Sequence, residues 1–160
     1  MGLTLSEQHL AALLAHAEAE RPNEACGLLA GIGGRVRRVY PVENIHHSPT
    51  VYEMNPAQQL AAFLDMEAAG WELSAIYHSH PAGPAEPSPT DIAQAYYPDS
   101  LYVIVSPMPA LSVTNAPGTP AWQVRGFTIE ARQVREESIV VEESPRPPQG
   151  QDRDGALQGD

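Results

Sequence analysis

The sequence predicts an α/β fold, a mixed β-sheet covered by helices on its faces. Three observations lead there. Apolar runs of strand length alternate with helical periodicities, Gly and Pro residues punctuate the boundaries, and 160 residues suffice for one domain with a sizeable core. The domain is expected over residues 1–143, with residues 144–160 as a tail.

The elements follow in order. Thr4 with Glu7 three residues on forms a capping box, after which Leu10, Leu13, Leu14 and Ala17 recur at helical spacing until Pro22 stops the helix. His9 and His16 fall on this helix without a partner motif and are expected to be exposed. Residues 24–31 form a short apolar run with the Glu24 carboxylate at its mouth, and the glycines of 31–34 turn it into a partner strand over 35–42. Cys26 sits inside the first strand and reads as a small buried hydrophobe. Residues 44–53 form a loop, whose His46 and His47 are expected to meet solvent or substrate.

Asn55-Pro56 is a cap followed by a first helical position, and Leu60, Phe63, Leu64 and Glu67 then repeat until Gly70 ends the second helix. Residues 71–80 read as a buried strand, in which Trp71, like Tyr52 and Met54 before it, is assigned to packing. Ser88-Pro89 caps a short helix, and 101–105 is an unbroken β-rich run of the kind found in a central strand. A loop over 108–120 leads to strands over 121–129 and 134–141. Beyond Ser144 the chain collects Pro, Gly, Gln, Asp and Arg, too polar to offset ordering entropy, so this tail is expected to be disordered.

Composition narrows the function. A formal charge of -11 and a pI near 4.8 oppose a phosphate-binding surface, and the one basic cluster, Arg35, Arg37 and Arg38, belongs to a strand; no nucleic-acid partner is expected. A single cysteine excludes an intrachain disulfide framework and a multi-cysteine structural zinc. The N-terminus has neither a positive n-region nor an apolar h-region, and no run approaches the roughly eighteen apolar residues that span a bilayer. A cytoplasmic protein with no membrane partner is the expectation.

The chemistry concentrates in residues 76–92. His78 and His80 flank one residue at a strand end, where side chains two apart share a face, so both imidazoles can reach one ion. Asp91 lies past a Pro- and Gly-rich loop on the first turn of the short helix. Imidazole and carboxylate together suit Zn²⁺, whose catalytic sites take three protein ligands and leave one position to water. The competing reading is structural: Ser88 and Asp91 as a simple capping box, and the histidines merely solvated or hydrogen-bonded.

The run Glu24…His78-Ser79-His80-Pro81-x-Gly83…Pro87-Ser88-x-x-Asp91 resembles the JAMM signature of the MPN-type zinc metalloproteases, a Glu followed by His-x-His-x(10)-Asp. The resemblance extends to Asn44, Ser48-Pro49, Asn55-Pro56 and Gly70, and so covers nearly all of the 1–143 domain. It implies an MPN (JAMM) domain, a mixed, curved β-sheet flanked by helices in a three-layer α-β-α arrangement like that of cytidine deaminases. It implies one catalytic zinc held by His78, His80 and Asp91 with water as fourth ligand. Glu24 would then be the base that deprotonates that water and reprotonates the leaving amine, and Ser88 the donor to the oxyanion.

The short 108–120 segment and the single cysteine depart from the larger, ubiquitin-trimming members, which carry insertions and sometimes a second zinc. The chain resembles the short bacterial members that act on ubiquitin-like sulfur-carrier proteins, hydrolysing the bond after the carrier's C-terminal Gly-Gly to release cysteine or another amine. Strand addition beside the cleft is the expected way to hold such a tail. The alternative is a non-catalytic MPN-type module that binds a protein partner. A zinc deaminase ranks below both, since its His-x-Glu and Pro-Cys-x-x-Cys elements are absent. Oligomeric state is not legible in the sequence.

Overall fold

Strands and helices alternate through the computed structural model, which describes residues 2–107 and 122–143. The order is β1 (Gly2–Ser6), α1 (Glu7–Glu20), β2 (Cys26–Ile32), β3 (Arg35–Val42), α2 (Pro56–Ala69), β4 (Glu72–Ser79), α3 (Pro89–Ala93), β5 (Leu101–Ser106), β6 (Gln123–Glu130) and β7 (Gln133–Glu142). The expected loop over 108–120 and the expected tail over 144–160 lie outside the described residues.

The sheet is mixed, as expected, and curves until it closes in the order β1-β3-β2-β4-β5-β6-β7. β4 runs parallel to β5 and β1 parallel to β7, while the pairs β2/β3, β2/β4, β5/β6 and β6/β7 are antiparallel. The seam between β1 and β3 is slight, a single pairing of Thr4 with Arg35 beside a hydrogen bond from Thr4 N to Gly34 O of 2.8 Å.

β1 is a correction to the sequence reading, which began the fold with a helix capped at Thr4. Leu3 and Leu5 are buried on one face of a five-residue strand that pairs with β7 from Gly2↔Ser138 to Ser6↔Glu142. The cap of α1 is Ser6, whose side chain accepts from His9 N at 3.1 Å. Parallel pairing with the last strand leaves no local trace, so a nearby Thr-x-x-Glu was the stronger signal.

Leu13 and Ala17 bury α1 against the sheet. His16 is half-buried, contrary to expectation: its Nδ1 lies 2.7 Å from the hydroxyl of Tyr77, a side chain wholly inside the core. His9 is half-buried as well. After β2, Gly33 and Gly34 take φ of 60° and 79°, a two-residue turn that suits the twist of a hairpin.

α2 has the expected ends. Asn55 Oδ1 accepts from Ala57 N at 2.9 Å and Gln58 N at 3.1 Å, Pro56 opens the helix, and Gly70 closes it in the left-handed region at φ 76°. Its inward face differs from the periodicity. Ala62 and Met66 are buried and Phe63 partly so, whereas Leu60 and Leu64 are 59% and 58% exposed. The helix turns Ala62 and Met66 to the sheet and leaves a leucine pair outside.

Alternating residues of β2 and β4 feed two apolar clusters. Leu29, Ala75 and Tyr77 pack with Leu13 and Ala17 of α1, and Cys26, Leu28 and Ile76 pack with Ala62 and Met66 of α2. The two long helices therefore cover opposite faces of β2 and β4, the layering expected from the sequence. Among the described residues no helix is long and apolar enough to cross a membrane.

Candidate metal centre

β4 ends where the barrel opens, and its last residues turn from core to chemistry. His78 is 1% exposed and His80 9%. Asp91 arrives from α3, whose first turn is fixed by a reciprocal cap: Asp91 N donates to Ser88 Oγ at 3.0 Å, and Ser88 N donates to Asp91 Oδ2 at 2.9 Å. Pro89 presets the first helical position.

Three ligand-type atoms converge. His78 Nε2 lies 3.0 Å from His80 Nε2, and Asp91 Oδ2 lies 3.2 Å and 3.1 Å from those two nitrogens. Ligands held tetrahedrally at about 2.0–2.1 Å from zinc stand about 3.3 Å apart, so the triangle has the size that ion requires. The rings are also oriented. His80 Nδ1 is 2.8 Å from Pro84 O, so it carries the proton and turns the Nε2 lone pair to the triangle. His78 is held by Tyr52, which stacks on it with centroids 4.6 Å apart. The residues fit a zinc ion better than they fit one another, since two imidazole nitrogens and a carboxylate oxygen cannot all be hydrogen-bond complements.

Electrostatics follow from enclosure. Burial pushes His78 down, against the pull of Asp91; for His80, burial is outweighed by its hydrogen bonds to Asp91 and Pro84, and its pKa rises. Burial works on Asp91 in the opposite direction, but the two histidines and the Ser88 N–H hold its carboxyl far below the usual range.

Glu24 is 4% exposed and precedes β2 on the far wall. Its backbone is tied on both sides, with N donating to Ser48 O at 2.8 Å and O accepting from Asn44 Nδ2 at 3.0 Å. The next residue, Ala25, donates to Ser79 Oγ at 2.8 Å, which joins Glu24 to the strand carrying the histidines. Oε1 of Glu24 is buried with no protein partner, and burial, with Asp91 adding to it and His80 opposing, raises the carboxyl to about 8. Glu24, His80 and Ser88 line one cleft of about 330 Å³, walled by Pro49 and Thr50 on one side and by Pro84 and Pro87 on the other.

The structure thus brings Glu24, His78, His80, Ser88 and Asp91 to one place. His46 and His47 stay outside it, exposed beside Glu53 and Glu43. Cys26 is enclosed, its thiol pushed up to about 12 by burial and then by Glu24 and Glu20, and so is inert. Sequence reasoning treated Tyr52 as packing alone and did not single out Ser79 or Pro84. Asn44 entered the sequence reading through the family resemblance, and its side chain makes four hydrogen bonds that gather Glu24, His46, Val51 and Glu53.

Comparison with known proteins agrees with this arrangement. The model for prokaryotic homologues of the JAB domain matches residues 6–124. The CysO-cysteine peptidase of Mycobacterium tuberculosis is 45% identical over 97 residues, which cover 59% of this chain and 66% of the peptidase. The chain thus spans just under two thirds of the length of that relative. The desampylase of Haloferax volcanii is 35% identical over 112 residues, covering 66% of this chain and 81% of the desampylase. Among solved structures, a protein of Desulfitobacterium hafniense superposes with a TM-score of 0.75 at 38% identity, over 90% of this chain and 94% of that one.

Proposed function

The chain belongs to the family of prokaryotic JAB-domain proteins, and on that premise we propose that it is a zinc-dependent peptidase or isopeptidase. Its substrate is a ubiquitin-like or sulfur-carrier protein, cut after the C-terminal Gly-Gly with release of cysteine or another amine. The carrying observation is the Nε2–Nε2–Oδ2 triangle facing a cleft that also holds a buried, unpartnered carboxylate. The names of the relatives supply the substrate class: a peptidase of CysO-cysteine and a desampylase.

His78, His80 and Asp91 would hold the ion, which when bound supplies Lewis acidity that polarises a carbonyl and makes water more acidic. Glu24 does the proton work. Enclosure keeps the carboxyl largely protonated near neutral pH in the metal-free chain; beside a bound cation its ionised form is favoured, in which Oε1 can take a proton from water and return it to the departing amine. Ser88 serves both readings of its motif. As a cap its Oγ accepts from Asp91 N, which occupies a lone pair and leaves the hydroxyl hydrogen to donate to a developing oxyanion.

The expected strand addition needs adjustment. β2, which follows Glu24, and β4, which carries the histidines, both have neighbours on each side, so neither offers an edge. A Gly-Gly tail is held instead by backbone outside the barrel, between the 48–52 loop and α3. The free buried thiol fits a protein that works in a reducing cytoplasm.

The test is hydrolysis itself. A carrier ending in Gly-Gly-cysteine and a Gly-Gly isopeptide on lysine are incubated with the zinc-loaded protein, with and without chelator, and followed by intact mass. Chelator-sensitive loss of the cysteine or of the lysine arm is expected. Full-length conjugates in every sample would reject the proposal.

A further inference from the structure

The Pro84 carbonyl that sets the tautomer of His80 belongs to a segment with little hold on itself. Residues 81–87 lie in neither strand nor helix, and Pro81, Pro84 and Pro87 have no N–H to donate. Within the segment, Gly83 N reaches His80 O at a long 3.4 Å and Glu86 N reaches Pro84 O at 2.8 Å. The Glu86 side chain adds an exposed contact of 3.4 Å with Arg125. A carbonyl that orients a metal ligand must itself be held in place.

Ser106 supplies a firmer anchor. It closes β5, a strand whose six residues are all buried, and is itself 0% exposed. A hydroxyl is costly at such a position unless it is hydrogen-bonded. Ser106 Oγ donates to Gly83 O at 2.5 Å, one peptide unit before the carbonyl that meets the His80 ring. The strand geometry puts it on the right side: His78 pairs with Ile104 across the parallel β4/β5 ladder, and two residues further on His80 and Ser106 keep to that face. The end of β5 thus holds His80 twice, by its backbone, where Val105 O accepts from His80 N at 2.9 Å, and by its ring, through the loop that Ser106 pins.

We propose that Ser106 is a positioning residue for the metal centre, fixing the Gly83 and Pro84 carbonyls so that His80 Nδ1 keeps its acceptor and Nε2 stays aimed at the triangle. The inference rests on the assignment of zinc to His78, His80 and Asp91. With the hydroxyl gone the loop loses its buried tie, Nδ1–H loses a fixed partner, and the proton is free to sit on Nε2, where it blocks ligation.

A matched residue stands at the other end of the same strand. Ser100, 5% exposed, donates from Oγ to Leu73 O at 3.0 Å, a bond of the same kind at the end of β4 remote from the histidines. Zinc retention, measured apart from turnover, tests the difference. The zinc-loaded parent and variants are challenged with a chromophoric chelator, and zinc transfer is followed by absorbance. Ser106→Ala is expected to bind zinc about tenfold more weakly, and Ser100→Ala as tightly as the parent, although both lower the melting temperature by a similar few degrees. If Ser106→Ala does not fold, Ser106→Cys, close in shape and a much weaker donor, is read in its place. Zinc held as tightly as in the parent, or lost to the same extent by Ser100→Ala, would overturn the role of Ser106 and leave the metal centre standing. A parent protein that retains no zinc rejects the metal centre, and the role of Ser106 with it.

Discussion

Tyr77 and His78 are neighbours on β4, equally enclosed, and do unlike work. Tyr77 faces α1, where its ring lies in a sealed apolar cluster and its hydroxyl meets His16. His78 faces α2, where Nε2 points to a carboxylate and a second imidazole and Nδ1 is buried with no partner. The Tyr77 hydroxyl has its polar need met inside the fold. The His78 face is left incomplete, and completion comes from an ion and a substrate. Polar groups that are buried and unsatisfied are costly, so their concentration on one face marks where the molecule binds something.

The comparison can be broken by substitution. His78→Ala should release the metal and reduce hydrolysis of a Gly-Gly conjugate at least about a thousandfold, as read by metal content and turnover; retained activity would mean that the unsatisfied face is not the working one. Glu24→Gln should keep the metal and lose roughly 10²–10⁴-fold in kcat. In the metal-free protein the same change has the opposite effect on stability. The folded Glu24 carboxyl, at about 8, lies above its unfolded value, so ionisation destabilises the fold progressively as pH rises between the two, and the penalty is full above pH 8. Glu24→Gln should therefore raise unfolding free energy by about 5 kcal/mol at pH 9 and by almost nothing at pH 4, measured by urea titration.

Smaller effects sharpen the contrast. Ser88→Ala removes a cap and a donor together, and should cost about 1 kcal/mol of stability and roughly ten- to a hundredfold in kcat. A loss of stability alone would leave Ser88 as a cap. Tyr77→Phe should cost about 1 kcal/mol, the value of one hydrogen bond, with kcat unchanged. If kcat falls as well, the α1 face is not the passive one.

What the sequence revealed follows the reach of each signal. Caps and turn residues act within a few positions, so Asn55-Pro56, Gly70, Ser88-Pro89 and the 33–34 turn were all legible. β1 was not, because its meaning depends on a strand at the other end of the chain. The stripe of Leu60 and Leu64 was visible, but its direction was not, since docking of α2 through Ala62 and Met66 decides which side faces water. At the site, the spacing of His78, His80 and Asp91 displayed a possible triangle, and Glu24 entered through the family resemblance. Of the supports that hold Glu24 in place, Asn44 likewise entered through the resemblance, while Ser79 is an ordinary polar residue that acquires its role only through contacts made by the fold.

The slight seam between β1 and β3 has a consequence for how the molecule comes apart and how it avoids its own copies. With one pairing on that side, most of β3 presents its outer edge without a neighbouring strand, and there Arg37 and Arg38 are exposed and Pro41 lacks an N–H to offer. Charge and proline are what keep an open edge from templating another chain. Amide hydrogens along this edge should exchange early, and opening there would loosen β1 and α1 while the strands around the triangle stay paired. The barrel would unzip between β1 and β3, with β3 and β2 still lying between the opened seam and the strand that carries the histidines.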